Sequence, residues 1–374
     1  MTPDHLAVEL KRFDPGLPIE KAWTPPASWY LEPAFLEAER AGVFNRSWQA
    51  VGRVEQVARE GEYFTGCLLG EPYVVLRDAS GALRAFHNVC RHHAAQVCEG
   101  EGRLEELVCN YHGWTYALDG RLLKAPKLGK SEVFERAQFS LRPVAVDSLG
   151  PWIWIHLAAN PAPLGALLGD LAPRLEATGY QRLTFAARKT YEMRCNWKVY
   201  VDNYLDGGYH VSSLHRALAG QLDLKSYGTE LFERISIQSC KAPAQAPPEA
   251  GGDFAERIGD AALYAFIYPN FMINRYGPIM DTNYVVPLAP DRTLVVFDFY
   301  FEETEGGEAQ EFIRRSIAAS HTVQEEDVAI SESVQRGLGS PGYDRGIYAP
   351  GIEMAAYHFH RLLATDLAFA TSVS

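Results

Sequence analysis

The 374-residue sequence contains no run of about 18 apolar residues, so no stretch of it is suited to cross a bilayer as a helix. It also lacks an excess of positive charge. Thirty-five Lys and Arg stand against 47 Asp and Glu, a formal net charge of −12. That balance removes the electrostatic footprint of a nucleic-acid or anionic-membrane binder. It suits a cationic substrate or a basic partner, though solvated surface carboxylates account for it equally well. No internal repeat and no nucleotide-binding glycine motif occurs, so direct use of NAD(P)H is not expected. The first residues, MTPDHLAVELKRFDPG, lack a charged segment followed by an apolar block and are not Arg/Ser-rich, so neither a secretory signal nor a transit peptide is expected. The six cysteines, Cys67, Cys90, Cys98, Cys109, Cys195 and Cys240, are too sparse for a disulfide framework, and a reducing, cytoplasmic setting follows as the expectation. What is present is an ordinary globular composition, 47% hydrophobic and 22% charged, in a chain long enough for two buried cores.

Residues 1–44 read as a lead-in arm, Pro-rich from Leu17 to Pro26 and then helical over PAFLEAERAGVF. From Trp48 the texture changes to short β-rich segments: WQAVG, EYFTGCLL, PYVVLRD and LRAFHNV, separated by Gly-containing turns, with GPWIWIHL the last. This predicts a small antiparallel β domain over residues 45–158. Two loops in it carry Cys90-Arg91-His92 and, after sixteen intervening residues, Cys109-Asn110-Tyr111-His112-Gly113-Trp114. Two Cys and two His in this spacing suit a tetrahedral zinc. They also suit a [2Fe–2S] cluster with two thiolates on one iron and two imidazoles on the other. Each loop offers one Cys and one His, which fits the second arrangement. His93 is expected to point away from the group. Cys67, Cys195 and Cys240 read as small buried hydrophobes, and His87 and His156 as structural.

Residues 159–374 predict a second domain. After a linker with a short helix (PAPLGALLGDLAPRL), KTYEMRCNW reads as a strand feeding an amphipathic helix, NWKVYVDNY, with Trp197, Tyr200 and Tyr204 at helical spacing. Gly207 and Gly208 follow, then His210 and His215, with Asp206 one turn before the first histidine. Two imidazoles and one carboxylate form the facial triad that leaves open positions on a non-haem iron. Lys241 to Asp253, rich in Pro, Ala and Gly, is the expected mobile loop. Strands resume with ALYAFIYPNFMINRYG, TNYVVPLA and TLVVFDFYFEE, and a long helix runs from Glu308 to about Gly337. That helix offers Glu325, Glu326, Asp327 and Glu332 as carboxylates, and periodicity does not choose among them. The expected fold class is α+β: a small antiparallel β domain, then a helix-grip-like domain with a curved antiparallel sheet around a long C-terminal helix.

CRH…CNYHGW resembles the Rieske cluster motif, NWKVYVDNYLDGGYHVSSLH resembles the mononuclear-iron motif of Rieske non-haem iron oxygenases, and EDVAISESVQ resembles their last ligand segment. The resemblance runs from WQAVG to HFHRLL and implies the alpha subunit of such an enzyme. Within the family LYAFIYPNFMINRYGP and ESVQRGLGSPGYDRGIYAPGIEMAAYHFH resemble the branch of choline monooxygenase and its bacterial relatives that act on quaternary amines. It implies Cys90, His92, Cys109 and His112 as cluster ligands and His210, His215 and Asp327 as iron ligands. It further implies Asp206 as the acid that orients His210 and relays to a cluster histidine, and Asn203 as a residue near the iron. Many relatives place that acid three residues before the first histidine, where this chain has Gly207; Asp206 stands four before. Cys98 has no cysteine partner in the second loop, where Asn110 and Tyr111 stand.

The same resemblance implies a terminal oxygenase that inserts one oxygen atom of O2 into a C–H bond, the other leaving as water. Electrons would come from a separate ferredoxin or flavin reductase, and the relay would cross to a neighbouring subunit, hence a homotrimer. Oxidation of choline or a related quaternary amine is the leading reaction. N-demethylation of betaine, carnitine or proline betaine, and hydroxylation of an aromatic acid, are the alternatives. A trimethylammonium group offers no hydrogen bond, so aromatic faces and a carboxylate must recognise it. Tyr264, Phe266 and Tyr268 alternate along one strand, Phe271 and Tyr276 follow, and Tyr209 adjoins His210; each is a cage candidate or a packing residue.

Overall fold

In the computed structural model, described over residues 3–215, 223–242 and 259–373, the chain divides into two compact units. One is Asn45–Leu167 and the other joins Met1–Phe44 to Leu168–Ser374. The expected mobile loop lies, from residue 243 onward, outside the described residues. The stretch expected as a separate arm thus belongs to the later unit. The earlier unit runs on to Leu167 rather than stopping at 158, and the Trp48 indole N–H ties the extension back by donating to the Ala162 carbonyl at 2.9 Å.

The Asn45–Leu167 unit is all antiparallel β. Its strands are β1 (Gln49–Arg53), β2 (Glu62–Leu68), β3 (Glu71–Arg77), β4 (Leu83–His87), β5 (Glu101–Arg103), β6 (Leu107–Val108), β7 (Thr115–Tyr116), β8 (Leu122–Lys124), β9 (Pro143–Leu149) and β10 (Trp152–His156). Seven pair in the order β1-β10-β9-β4-β3-β2-β5, and β6-β7-β8 form a small separate sheet. The period-2 alternation of residues such as Tyr63, Phe64, Val74 and Leu76 supplies its cores. Cys67, expected to be buried, is exposed: its neighbour Leu68 takes the inward position on β2.

The other unit begins with helices α1 (Pro3–Leu10), α2 (Ser28–Leu31) and α3 (Pro33–Gly42). Short helix α4 (Leu164–Leu168), at the end of the earlier unit, and α5 (Ala172–Ala177) occupy the predicted linker. Next come β11 (Thr184–Met193), α6 (Trp197–Leu205), α7 (Val211–Leu214), β12 (Asp223–Leu231), β13 (Ile235–Lys241), β14 (Ala261–Ile267), β15 (Phe271–Tyr276), β16 (Ile279–Ala289) and β17 (Arg292–Phe301). Helices α8 (Gly307–Leu338) and α9 (Met354–Val373) close the chain. The strands make one antiparallel sheet, β11-β17-β16-β15-β14-β13-β12, and α6 and α8 pack on each other and on this sheet. α9, which periodicity did not separate from the preceding loop, packs on α1, α3 and α6. No helix among the described residues is long and apolar enough to cross a membrane.

Helix α6 is anchored by a buried ion pair. Lys198 Nζ lies 2.6 Å from Glu39 Oε1, both side chains are essentially inaccessible, and the Trp197 indole N–H donates to Glu39 Oε2 at 2.7 Å. Burial pushes the Glu39 carboxyl up and the Lys198 ammonium down, against their mutual attraction. Removing one partner strands the other charge, so Lys198→Met should cost about 3–5 kcal/mol. Chemical denaturation checks this; a midpoint equal to that of the parent chain would refute it.

Candidate active site and metal centres

At the tip of the β unit, the β4–β5 loop carries Cys90 and His92 and the β6–β7 loop carries Cys109 and His112. Each loop closes on itself: Ala94 N–H donates to the Cys90 carbonyl at 3.0 Å and Gly113 N–H to the Cys109 carbonyl at 2.9 Å. Gly113 takes a left-handed conformation (φ +72°), which its lack of Cβ permits. The two cysteines are 3% and 1% exposed, in a core with Leu107, Trp114 and Tyr116, whereas His112 lies at the surface and His92 half-buried. The histidine rings stand 4.7 Å apart, and His92 stacks on Trp114. Tyr116 is a support: its hydroxyl lies 3.3 Å from Cys90 Sγ and accepts the Arg91 N–H at 3.0 Å. His93 does not point away as expected. Its ring lies 4.0 Å from that of His92 and 5.5 Å from that of His112, because the loop is too tight to splay consecutive imidazoles. Cys98 is unpaired, its thiol pushed up to about 12 by burial, and all six cysteines are free.

In the second unit Asn196 caps α6 by accepting the Lys198 N–H, and the helix ends at Asp206. Gly207 and Gly208 then reverse the chain through two left-handed conformations, φ +72° and +76°. A Cβ on Gly207 would stand 2.3 Å from the Ile352 carbonyl oxygen, so the turn requires glycine there. The Asp206 carboxylate accepts from the backbone N–H of Gly208, Tyr209 and His210 at 2.9, 3.1 and 3.0 Å, and from His210 Nδ1 at 2.6 Å. The reversal brings His210 and His215 ring to ring at 4.9 Å. Across from them α8 presents Asp327, whose Oδ1 is 3.1 Å from His215 Nε2, 3.9 Å from His210 Nε2 and 2.8 Å from Asn203 Nδ2. Among the described residues, His210, His215 and Asp327 are the one group of three donors converging within 4.8 Å. Of the acids on α8, then, Asp327 faces the histidines, Glu326 reaches His215 Nδ1 at 2.6 Å, and Glu325 and Glu332 engage His321 and Arg194.

A cavity of about 180 Å³ opens beside this triad. Tyr200, Tyr204, Tyr227, Tyr264, Tyr276 and Phe297 line it. Burial holds the phenols of Tyr200, Tyr204 and Tyr227 well above their ordinary pKa, so they present neutral hydroxyls. The buried Asp281 carboxylate accepts from Tyr276 and, at 2.7 Å, from Asn274 Nδ2, which also donates to Asn283. Among the described lining residues there is no Lys or Arg. Of the cage candidates, Tyr264 and Tyr276 face the cavity. Phe266 packs on Phe359 of α9, and Tyr268 lies under the Arg234 guanidinium at 5.1 Å. Phe271 is buried and Tyr209 exposed, neither lining the cavity. Sequence reasoning missed Asp281, Asn274 and Asn283, although polar residues at inward positions of otherwise apolar strands were a usable signal.

The Rieske [2Fe-2S] domain family matches residues 47–139, and the catalytic domain of the ring hydroxylating alpha subunit matches residues 180–368. The chain belongs to the Rieske oxygenases. The oxygenase is 45% identical over 366 residues to chloroplastic choline monooxygenase of Arabidopsis thaliana, covering 95% of this chain and 85% of that one. It is 32% identical to the carnitine monooxygenase oxygenase subunit of Escherichia coli K12, over 92% of this chain and 94% of that one. Among solved structures, the quaternary ammonium Rieske monooxygenase CntA with L-carnitine superposes with a TM-score of 0.80 at 28% identity, covering 98% and 99% of the two chains. Naphthalene 1,2-dioxygenase from Rhodococcus, at 20% identity and a TM-score of 0.81, shares the fold.

The oxygenase takes a [2Fe–2S] cluster and a mononuclear iron, and the residues present fit both. His92 Nδ1 is buried without a hydrogen-bond partner, as a ligand nitrogen awaiting a metal must be. Burial, with His93 and His112 nearby, lowers the His92 pKa and favours the neutral ligating form. The two cysteines and two histidines do not converge within 4.8 Å as a tetrahedral zinc site requires, whereas a two-iron cluster separates its thiolates from its imidazoles. At the other site three carboxylates face two imidazoles. Burial pulls His215 down, but hydrogen bonds to Asp327 and Glu326 outweigh it and raise its pKa, the mark of a spot that a cation would neutralise.

Proposed function

We propose that this oxygenase oxidises a small quaternary ammonium compound without a carboxylate, of which choline is the model. The observation that carries the reading is the cavity beside the triad: six aromatic side chains and the Asp281 carboxylate, with no Lys or Arg among the described lining residues. Such walls attract a trimethylammonium group, and the described lining offers no Lys or Arg to pair a substrate carboxylate. Relatives of 32–45% identity named for choline and carnitine support the broader substrate class. Betaine or carnitine demethylation is the second reading, favoured by the likeness to CntA bound to L-carnitine. Aromatic-acid hydroxylation is disfavoured by the same acidic lining.

Cys90, His92, Cys109 and His112 are the proposed cluster ligands, and His210, His215 and Asp327 the proposed iron ligands. When bound, the two centres supply stored electrons and the activation of dioxygen. This chain's own residues bind and orient: Asp206 fixes the His210 ring, Asn203 holds the Asp327 carboxylate, and the tyrosines exclude water around the substrate methyl groups. Electrons come from a separate reductase or ferredoxin. We take the assembly to be a homotrimer in which Asp206 links His210 to a neighbour's cluster histidine, supported by the inter-subunit electron transfer named for CntA. Six unpaired cysteines suit a reducing compartment, hence a cytoplasmic location.

The test is substrate-dependent oxygen uptake, with a reductase supplied, across choline, carnitine, glycine betaine and benzoate. Uptake with choline is the expected result; uptake with benzoate alone would refute the reading. Tyr264→Ala and Tyr276→Ala should each weaken choline binding by about 0.5–2 kcal/mol, or roughly 2- to 30-fold. Phe271→Ala, outside the cavity, should leave the affinity of the folded protein unchanged. Calorimetric titration of the three variants measures this, and equal affinities throughout would remove the aromatic cage.

A further inference from the structure

The two candidate iron histidines are each held from behind by a carboxylate, and the two carboxylates are not equivalent. Asp206 accepts at His210 Nδ1 but also receives three backbone N–H groups, so its carboxylate holds the turn together as well as the ring. Glu326 is different. Its one described hydrogen bond is to His215 Nδ1, at 2.6 Å, and it adjoins the candidate ligand Asp327 on the rigid helix α8. The side chain is 41% exposed, so it is not filling a core, and its neighbour Glu325 faces His321 instead. His215 itself is 2% exposed at the end of the short helix α7, and Glu326 is the group that engages its Nδ1. The Nδ1 edge of the ring thus faces Glu326, and Nε2 faces Asp327 Oδ1 at 3.1 Å.

We infer that Glu326 is the positioning residue for His215: its carboxylate sets the tautomer and rotation of that imidazole and makes it a stronger donor to the mononuclear iron. The inference rests on the iron-site reading above and adds a residue to it. A carboxylate in this place commonly contributes ten- to a hundredfold to metal affinity. Asp206 cannot be probed as cleanly, because changing it also strands the three backbone N–H donors of the turn that its carboxylate accepts.

The experiment uses the full-length protein carrying its cluster and compares wild type, Glu326→Ala, Glu326→Gln and the control Glu325→Ala. Iron retention is measured against a graded ferrous chelator, with cluster absorbance as the internal standard. The electron paramagnetic resonance spectrum of the ferrous nitrosyl adduct reports the geometry of the site. The expected order of iron affinity is wild type and Glu325→Ala together, then Glu326→Gln roughly tenfold weaker, then Glu326→Ala up to a hundredfold weaker. The nitrosyl spectrum should broaden in Glu326→Ala alone, since Gln keeps an acceptor for the ring N–H. If Glu326→Ala does not fold, Glu326→Gln, which preserves side-chain volume, decides: iron release no faster than wild type overturns the inference. Equal retention in all folded variants overturns it as well. A wild-type chain holding only the two irons of its cluster overturns the mononuclear-iron reading and this inference with it; a third iron held equally by every variant overturns this inference alone.

Discussion

Replacing Asp327 by alanine is expected to abolish substrate-dependent oxygen uptake, by roughly three orders of magnitude or more, while the protein keeps its colour. The side chain joins three elements. It faces His210 and His215 from α8, and it accepts the Asn203 amide from α6. Without it the two imidazoles alone remain, and two ligands do not hold ferrous iron against water and buffer. Iron should fall from about three atoms per chain to about two, the two of the cluster. Cluster absorbance should be unchanged, because Cys90, His92, Cys109 and His112 belong to the other compact unit. Metal analysis and the visible spectrum on one sample measure both quantities. Retention of three irons, or full activity, would show that another carboxylate is the ligand.

The mirror experiment is Cys109→Ala. Here colour and activity should vanish together, leaving about one iron per chain. Cys109 is 1% exposed and packs in the core with Leu107, Trp114 and Tyr116. Burial, with Cys90 beside it, pushes its thiol pKa up. An isolated thiol there would be protonated and inert, so cluster assembly must displace its proton. The variant should still bind choline, because the cavity lies in the other unit. Calorimetry on the colourless protein checks that dissociation. A Cys109→Ala protein that remains brown and active would exclude the proposed ligand set, and a colourless parent carrying zinc would exclude the cluster altogether.

Much of this molecule follows from local rules. Period-2 alternation located the strands around WQAVG, PYVVLRD and TLVVFDFYFEE, and helical spacing in NWKVYVDNY located α6 to within a residue. The metal motifs are legible for the same reason: proposed ligands that close a small loop must sit two or three residues apart, as at Cys90 and His92. Other features hinge on what meets across the fold. Four acids of similar spacing lie on α8, and nothing local distinguishes Asp327 from Glu325; the difference is which one faces α6 and α7 after packing. The cage candidates divided likewise. Alternation placed Tyr264 and Phe266 on one face of the sheet, but the covering layer differs along it, cavity over Tyr264 and α9 over Phe266.

By itself, then, the sequence determined the strands, the helix α6, the two Cys/His loops and the family, because each depends on residues close together in the chain. Tertiary structure decided that Asp281 lies in the cavity, that Glu326 backs His215, and that residues 1–44 fold with the later unit. Those three depend on contacts between segments more than a hundred residues apart or on opposite strands of a sheet, and pairing at that range is set by packing, which no local pattern encodes.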